Sequence, residues 1–307
     1  MSKDKIVLIT GGTGFIGSRL AARMIENDYS LHLIVRPGSD LQQVSAVTDR
    51  AHLHVHDGTT QGLIDIVGKV CPQTVFHLAS LFIAEHSSND VERLVASNIL
   101  FGSQLLEAMR VVGVRQLINT GTSWQHFHSD CERPSCLYAA TKRAFQNIVE
   151  FYADAYGLRA ITLKLFDTYG PGDMRRKLFR LLRDTARTGE PLSMSAGEQQ
   201  IDLVYIDDVV EAFRIAEERL LSGTVTSHEI FGISSGKPVP LREVVELYKK
   251  VFEQELGINW GTRPYRSREV MVNWSGFPRL PGWTPKVDLL DGLRRMRLAD
   301  GAVTRKQ

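Results

Sequence analysis

Two hydrophobic rhythms alternate along the first half of the chain. Short, mostly apolar runs recur at Lys5–Thr10, Leu31–Val35, Thr74–Leu78, Arg115–Asn119 and Arg159–Leu165, and His52–His56 alternates apolar with polar. Runs of that length rich in Val, Ile and Leu predict strands buried on both faces, the habit of a parallel sheet. Between them, helical spacing predicts Ser18–Asn27, Gln61–Cys71, Asp90–Val112 and Leu137–Tyr156, the last two closed by Gly113 and Gly157. Strand and helix in regular alternation predict an α/β fold with a doubly wound parallel sheet over residues 1–170. Past Tyr169-Gly-Pro-Gly172 the rhythm changes. Helices are expected at Lys177–Thr188, Asp207–Leu221, Pro240–Leu256 and Val287–Ala299, and strands at Gln199–Tyr205 and His228–Ile233. Asn259–Pro285 is rich in Gly, Pro and Arg and reads as loops. Residues 171–307 are thus expected to form a smaller α+β part, with some segments returning to the main sheet and a mobile tail beyond Asp300.

Size and composition narrow the class. The chain has 307 residues, 43% hydrophobic and 23% charged, with net charge +2. That balance gives no reason to expect nucleic acid or a membrane surface as partner. No apolar run approaches the length of a membrane span, and the few residues before the first strand leave no room for a signal peptide. Three cysteines, Cys71, Cys131 and Cys136, fit a reducing, cytoplasmic setting.

Chemistry enters at the first strand's exit. Gly11, Gly14 and Gly17 stand at G-x-x-G-x-x-G spacing between a strand and a helix, around Phe15 and Ile16. In that context glycines allow a tight turn, close approach of backbone N–H groups to a pyrophosphate, and close helix packing, with the helix's positive end facing the phosphates. Tyr138 and Lys142, four apart on a helix, can address one ligand together. The ammonium is expected to lower the phenol's pKa from its usual value near 10. Thr122 and Ser123 follow the fifth strand, where ligands of such sheets bind, so a hydroxyl there could hold a substrate oxygen against Tyr138. Ordinary turn capping is the alternative for the pair, but the sheet's switch-point geometry puts this turn beside the ligand and favours a role in the site. Trp124 and Phe127 are candidate pocket walls. His52, His54 and His56 share a strand face, and His126, His128, Cys131 and Cys136 crowd one loop, but neither set has the spacing of a zinc site.

The pieces Thr10-Gly-Gly-Thr-Gly-Phe-Ile-Gly17, His77-Leu-Ala-Ser80, Asn98, Thr120-Gly-Thr122, Tyr138-x-x-x-Lys142, Phe166-Asp-Thr-Tyr-Gly-Pro171 and Asp202-Leu-Val-Tyr-Ile-Asp-Asp208 span most of the chain. In them the sequence resembles the extended short-chain dehydrogenases/reductases, the NAD-dependent epimerase/dehydratase branch that works largely on nucleotide sugars. The resemblance implies a Rossmann fold, a dinucleotide cofactor, a nucleotide-sugar substrate and a homodimer built on helices 90–112 and 137–156. By position it makes Tyr138 the proton donor or acceptor, Lys142 the ligand of the nicotinamide ribose, and Thr122 the group that orients the substrate oxygen. It places Asp57 and Gly58 at the adenine, Leu78, Ala79 and Ser80 along the ribose and phosphates, Asn98 near the cofactor, and Thr120 and Leu165 beside it.

Cofactor and reaction can be narrowed further. Arg36 ends the second strand with no acid nearer than Asp40, which favours NADP(H) over NAD(H). Ser123-Trp124 stands where 4,6-dehydratases resembled here carry Asp-Glu and where 3,5-epimerases carry Cys, so simple hydride transfer is expected. The surrounding segments are similar to nucleotide-sugar 4-ketoreductases of the kind that make CDP-abequose and CDP-paratose. The leading expectation is reduction of a nucleotide-linked 4-keto-6-deoxyhexose at C4; a sugar epimerase and a non-catalytic cofactor-binding sensor are the rivals. Ser80, Thr122, Ser123 and Trp124 are the expected sugar contacts, with Lys177, Arg266 and Arg268 for the phosphates. Asp167 stands where such enzymes often have Asn, and Ile201 where many have Arg. A carboxylate at 167 would repel phosphate unless it is paired.

Overall fold

The computed structural model of the chain describes residues 5–128 and 133–304. Cys131 and the last three residues of the tail lie outside them. In chain order the first half contains β1 (Ile6–Thr10), α1 (Phe15–Glu26), β2 (Ser30–Val35), β3 (Ala51–Val55), α2 (Thr60–Val70), β4 (Thr74–His77), α3 (Val91–Val95), α4 (Phe101–Val112), β5 (Gln116–Thr122), α5 (Leu137–Tyr156) and β6 (Arg159–Leu165). The second half contains β7 (Asp167–Tyr169), α6 (Leu178–Thr188), β8 (Leu192–Ser193), β9 (Gln200–Ile201), β10 (Leu203–Tyr205), α7 (Ile206–Leu221), β11 (His228–Ile233), β12 (Val239–Pro240), α8 (Leu241–Phe252), β13 (Ile258–Asn259) and α9 (Leu289–Thr304).

Seven parallel strands form one sheet in the order β11-β6-β5-β4-β1-β2-β3. Side chains alternate across it. Val7 and Ile9 join the core beneath α1 and α7, whereas Leu8 joins the core beneath α2, α4 and α5. With both faces covered, the strands need no polar alternation, which explains why apolar residues follow one another in them. Strand order reverses between β1 and β4, and the loops leaving these two strands meet there: a Cβ on Gly11 would lie 2.5 Å from the Ala79 nitrogen. A hydrogen bond of 2.8 Å between Thr10 Oγ1 and buried His77 Nδ1 ties the same two strand ends together. Ligands of such sheets bind at this reversal.

The α/β doubly wound prediction holds, but three elements differ from expectation. The segment expected as one helix over 90–112 contains a π turn, Ala96–Leu100, between α3 and α4. Its wider turn carries Asn98 into the protein, where the side-chain amide bonds the loop after β4. The expected strand 199–205 is broken at Asp202, whose buried carboxylate accepts from Ser235 N at 2.8 Å. β9 and β10 on either side pair with different partners, β12 and β7. The final helix runs to Thr304, past the expected start of a mobile tail. On the outer strands His32 stacks on His52 and His54, with ring centroids at 4.6 and 5.2 Å, while His56 turns inward to Phe101. Among the described residues no group of three or more His, Cys, Asp or Glu side chains could hold a metal ion. No helix among them is long and apolar enough to cross a membrane.

One buried acid lies far from these loops. Glu217 of α7 is fully buried and accepts a hydrogen bond from Tyr29 Oη at 2.9 Å; burial raises its pKa to about 7. A raised carboxyl pKa means that the folded state holds the proton more tightly than the unfolded one. Its stabilising contribution is therefore full below about pH 4 and is lost as pH rises through 7. Glu217→Gln is expected to raise the melting temperature at pH 8 and to change it little at pH 4, by thermal denaturation at both values.

Candidate active site

The glycine turn shapes one wall of a cleft of about 640 Å³ at the sheet's carboxyl edge. Gly11 has φ +71°, a conformation that costs a side-chain-bearing residue energy. A Cβ on Gly17 would overlap the Gly11 carbonyl oxygen, so α1 and β1 can approach only with glycine there. Gly14 caps α1 without any side-chain acceptor, and the first turn holds no acid. The first N–H groups of α1, at Phe15, Ile16 and Gly17, are the ones an anion satisfies. All of these residues line the cleft, and Gly11 also backs onto Ala79. Elsewhere in the lining, Thr120 Oγ1 is a buried hydroxyl with no partner among the described residues. An N–H cradle and an unpaired hydroxyl in one cleft fit a dinucleotide's phosphates and ribose.

Tyr138 and Lys142 enter from the first turns of α5, both buried. Ser80 and Thr122 stand beside the phenol in the cleft lining, and their hydroxyls favour its ionised form. Its pKa is not lowered as expected. Burial, with a smaller contribution from nearby Cys136, pushes it up to about 12 against the opposing effect of those two hydroxyls and Arg175. Burial also pushes Lys142 down to about 8. With both groups withdrawn from water, loss of hydration is the largest influence on each, and Lys142 is not among the groups that lower the phenol. The phenol is thus protonated at neutral pH and ready to act as an acid.

Thr122 combines both roles weighed for it. Its Oγ1 accepts from Trp124 N at 3.3 Å as a turn cap, and its backbone N–H donates to Gln125 Oε1 at 3.1 Å, which fixes the hydroxyl beside the phenol. Ser123, Trp124 and Leu165 also line the cleft. Phe82, which the sequence did not single out, meets Tyr138 edge-on at 4.9 Å and Trp124 at 5.5 Å. Its signal was a large aromatic just beyond a ligand-binding loop. Beyond it lies a side chamber of about 220 Å³ that shares Phe82, Trp124, Asp167 and Lys177 with the main cleft. Asp167 does not stand bare: Lys177 Nζ pairs with it at 3.1 Å. Arg175 also lines the main cleft, fixed by two bonds to Asp173.

Other expected site residues stand further out. Leu78 and Ser80 line the cleft; Ala79 lies behind Gly11. Asn98 is buried and does not line it. Its Oδ1 accepts from Leu81 N at 2.7 Å and Ser80 Oγ at 3.1 Å, and its Nδ2 donates to Leu81 O and to Thr141 Oγ1. With its amide so engaged, it braces the loop that carries Ser80. Arg36 is exposed at the end of β2, outside the cleft lining. Asp57, also outside it, accepts from Thr59 N and Oγ1, both at 2.8 Å, which holds its carboxylate below the usual range; Gly58 follows at φ +92°. Arg266 is held by Glu269 and lies over Trp124 at 4.7 Å, on the side chamber's wall. Arg268 lies over Phe127 at 4.2 Å and lines neither space.

Residues 7–227 match the model of the NAD dependent epimerase/dehydratase family. CDP-abequose synthase of Salmonella muenchen is 26% identical over 303 residues, covering 95% of this chain and 97% of the relative. UDP-glucuronate 4-epimerase of Thermodesulfobacterium geofontis is 26% identical, covering 94% of each. The crystal structure of UDP-glucose 4-epimerase from Thermotoga maritima with UDP-glucose superposes with a TM-score of 0.86 at 24% identity, over 97% of this chain and 99% of that one. The family match, the seven-stranded parallel sheet and the Tyr138–Lys142 pair in its cleft agree, and the chain belongs to the NAD dependent epimerase/dehydratase family as an NAD(P)-dependent enzyme of the extended short-chain dehydrogenase/reductase type.

Proposed function

We propose that this enzyme is an NADP(H)-dependent reductase of a nucleotide-linked 4-keto-6-deoxyhexose, acting at C4. One observation carries the reading: a protonated phenol, beside two hydroxyls, faces a cleft in which Asp167 is the sole lining carboxylate among the described residues and is neutralised by Lys177. Elimination of water needs an acid and a base beside the sugar. This cleft offers one acid at Tyr138 and no unpaired carboxylate, which suits transfer of a hydride and a single proton. The dinucleotide supplies the hydride when bound. Tyr138 gives its proton to the substrate oxygen, and Thr122 holds that oxygen in reach. Lys142 and Thr120 would hold the nicotinamide ribose. Residues 171–307 serve mainly as the substrate part, with Lys177 and Arg266 placed for the phosphates.

The preference for NADP(H) rests on the turn after β2. There the Arg36 backbone N–H donates to Ser39 Oγ at 3.0 Å, and the nearest acid, Asp40, is used in accepting from Gln42 N at 2.9 Å. A guanidinium with no competing carboxylate suits a 2′-phosphate. Arg36→Ala is expected to lower kcat/KM for NADPH about 10- to 100-fold and to leave NADH unchanged, in steady-state assays.

The relatives named 4-epimerases favour a second reading, an NAD-dependent nucleotide-sugar epimerase. The same phenol could take and return one proton while the hydride leaves and rejoins the sugar. A panel of 4-keto nucleotide sugars with NADPH and NADH separates the two. Stoichiometric NADPH oxidation supports the reductase; sugar interconversion with no net oxidation replaces it with the epimerase. We also propose a homodimer through exposed apolar residues of α3, α4 and α5, among them Val95, Val111 and Phe151. A monomer mass in solution would refute it.

A further inference from the structure

Tyr138 and Lys142 open a stripe of α5 that Gln146 and Glu150 continue at the same four-residue spacing, so all four share one slowly winding face of the helix. Gln146 is buried, and so is Gln125, the side chain it meets at the exit of β5. Three hydrogen bonds run through this pair in a single direction. Thr122 N donates to Gln125 Oε1 at 3.1 Å, Gln125 Nε2 donates to Gln146 Oε1 at 2.9 Å, and Gln146 Nε2 donates to Glu150 Oε1 at 3.1 Å. The two ends fix that direction. An ionised carboxylate only accepts, and a backbone N–H only donates. Each amide between them therefore has one orientation that sets donor against acceptor at both of these contacts. Gly121 makes room for the arrangement: a Cβ there would lie 3.0 Å from Gln125 Oε1. Glu150 is the accessible end, with its side chain 45% exposed.

We propose that Gln146 is a positioning residue, which with Glu150 behind it holds the Thr122 turn in place relative to Tyr138. This rests on the reading of Thr122 as the group that holds the substrate oxygen. Thr122 ends β5 and Tyr138 begins α5, so neither element alone sets the separation of the hydroxyl from the phenol. Gln125 closes the turn by returning its amide to Thr122 N as half of a capping box. Gln146 ties that cap to the helix that carries the proton donor, about two turns further along. The catalytic pair and the bracing pair thus occupy one stripe of one helix. A shift of the turn away from α5 breaks a buried amide bond, which is costly where water cannot replace it. Glu150 adds polarity: by accepting only, it keeps the Gln146 oxygen turned toward Gln125 and the Gln125 oxygen turned toward Thr122.

Gln146→Met keeps the volume and removes both amide bonds. Two measurements are made on the cofactor-loaded enzyme. The first, without substrate, is hydrogen exchange at the Thr122 backbone N–H relative to Leu117 and Ile118 of the same strand. Loss of stability alone speeds all three alike; loss of the brace is expected to raise the ratio at least tenfold. The second is turnover. With a substrate that is turned over, kcat is expected to fall about tenfold, with KM and dinucleotide affinity within threefold. Introduced into Thr122→Val, which has no hydroxyl to position, the same substitution is expected to cost less than twofold. Glu150→Lys, at a half-exposed side chain, tests direction. An ammonium only donates, so both readouts are expected to move as in Gln146→Met, whereas Glu150→Gln retains an acceptor and is expected to restore them. An unchanged exchange ratio in Gln146→Met overturns the proposal. So does a full tenfold fall in the Thr122→Val background, since the substitution then acts without the hydroxyl. If no nucleotide sugar is turned over, the substrate reading fails while the exchange ratio still decides the brace.

Discussion

Tyr138→Phe is expected to lower kcat about 10³-fold while the protein stays folded and binds its dinucleotide normally. The substitution removes one oxygen. The ring keeps its edge-on contact with Phe82 at 4.9 Å and its buried place at the start of α5. What is lost is the hydroxyl beside which Ser80 and Thr122 stand in the cleft lining. Steady-state kinetics and cofactor titration on the same preparation check both halves. Full turnover by the variant would remove the basis for either the reductase or the epimerase reading. Loss of cofactor affinity in step with kcat would mean that the phenol positions the ring and does not move a proton.

Gly17→Ala should fail earlier, at the scaffold. The added methyl would overlap the Gly11 carbonyl oxygen and press on Gly12, and both obstacles are backbone. No rotamer relieves such a clash; α1 must move away from β1, at a cost of about 3 kcal/mol or more. Moving α1 also moves the N–H groups that face the phosphates. Expected together are a large fall in melting temperature and at least a hundredfold loss of dinucleotide affinity, measured by thermal denaturation and fluorescence titration. Gly14→Ala is the control. Its Cβ would meet only Gly11 O, at 3.3 Å, so a mild effect is expected. Equal damage from both variants would mean that this turn is sensitive to any side chain, and the specific overlap at Gly17 would explain nothing.

Local rules reached furthest where a segment is governed by its own neighbours. Helix α5 and strands β6 and β11 have the bounds read from the sequence, because periodicity and a terminal glycine or strand-like run define them. Tyr138 and Lys142 were visible for the same reason: four residues apart on a helix is a local fact. The π turn at Asn98 was invisible, since it exists to satisfy a loop 17 residues earlier in the chain. The break at Asp202 answers to Ser235, 33 residues away. Pairing of Asp167 with Lys177 likewise converts an expected repulsion into a neutral wall, and nothing in composition or periodicity announces it. The phenol's pKa was misjudged because charge is written in the sequence and burial is not. Helix α5 names the lysine beside Tyr138, but only the packed cleft shows how little water either group retains.

The place of β11 in the sheet bears on how this chain can be made in a cell. Strand β6 pairs with β5 on one side, but its other side waits for residues 228–233, synthesised more than sixty residues later. Until those residues leave the ribosome, the nascent protein displays an apolar strand with a free row of backbone donors and acceptors, a template for association with other chains. Truncating the gene after the dinucleotide-binding half would make that transient exposure permanent. A soluble half-protein would thus call for a capping strand grafted beside β6, and not merely a convenient stop codon.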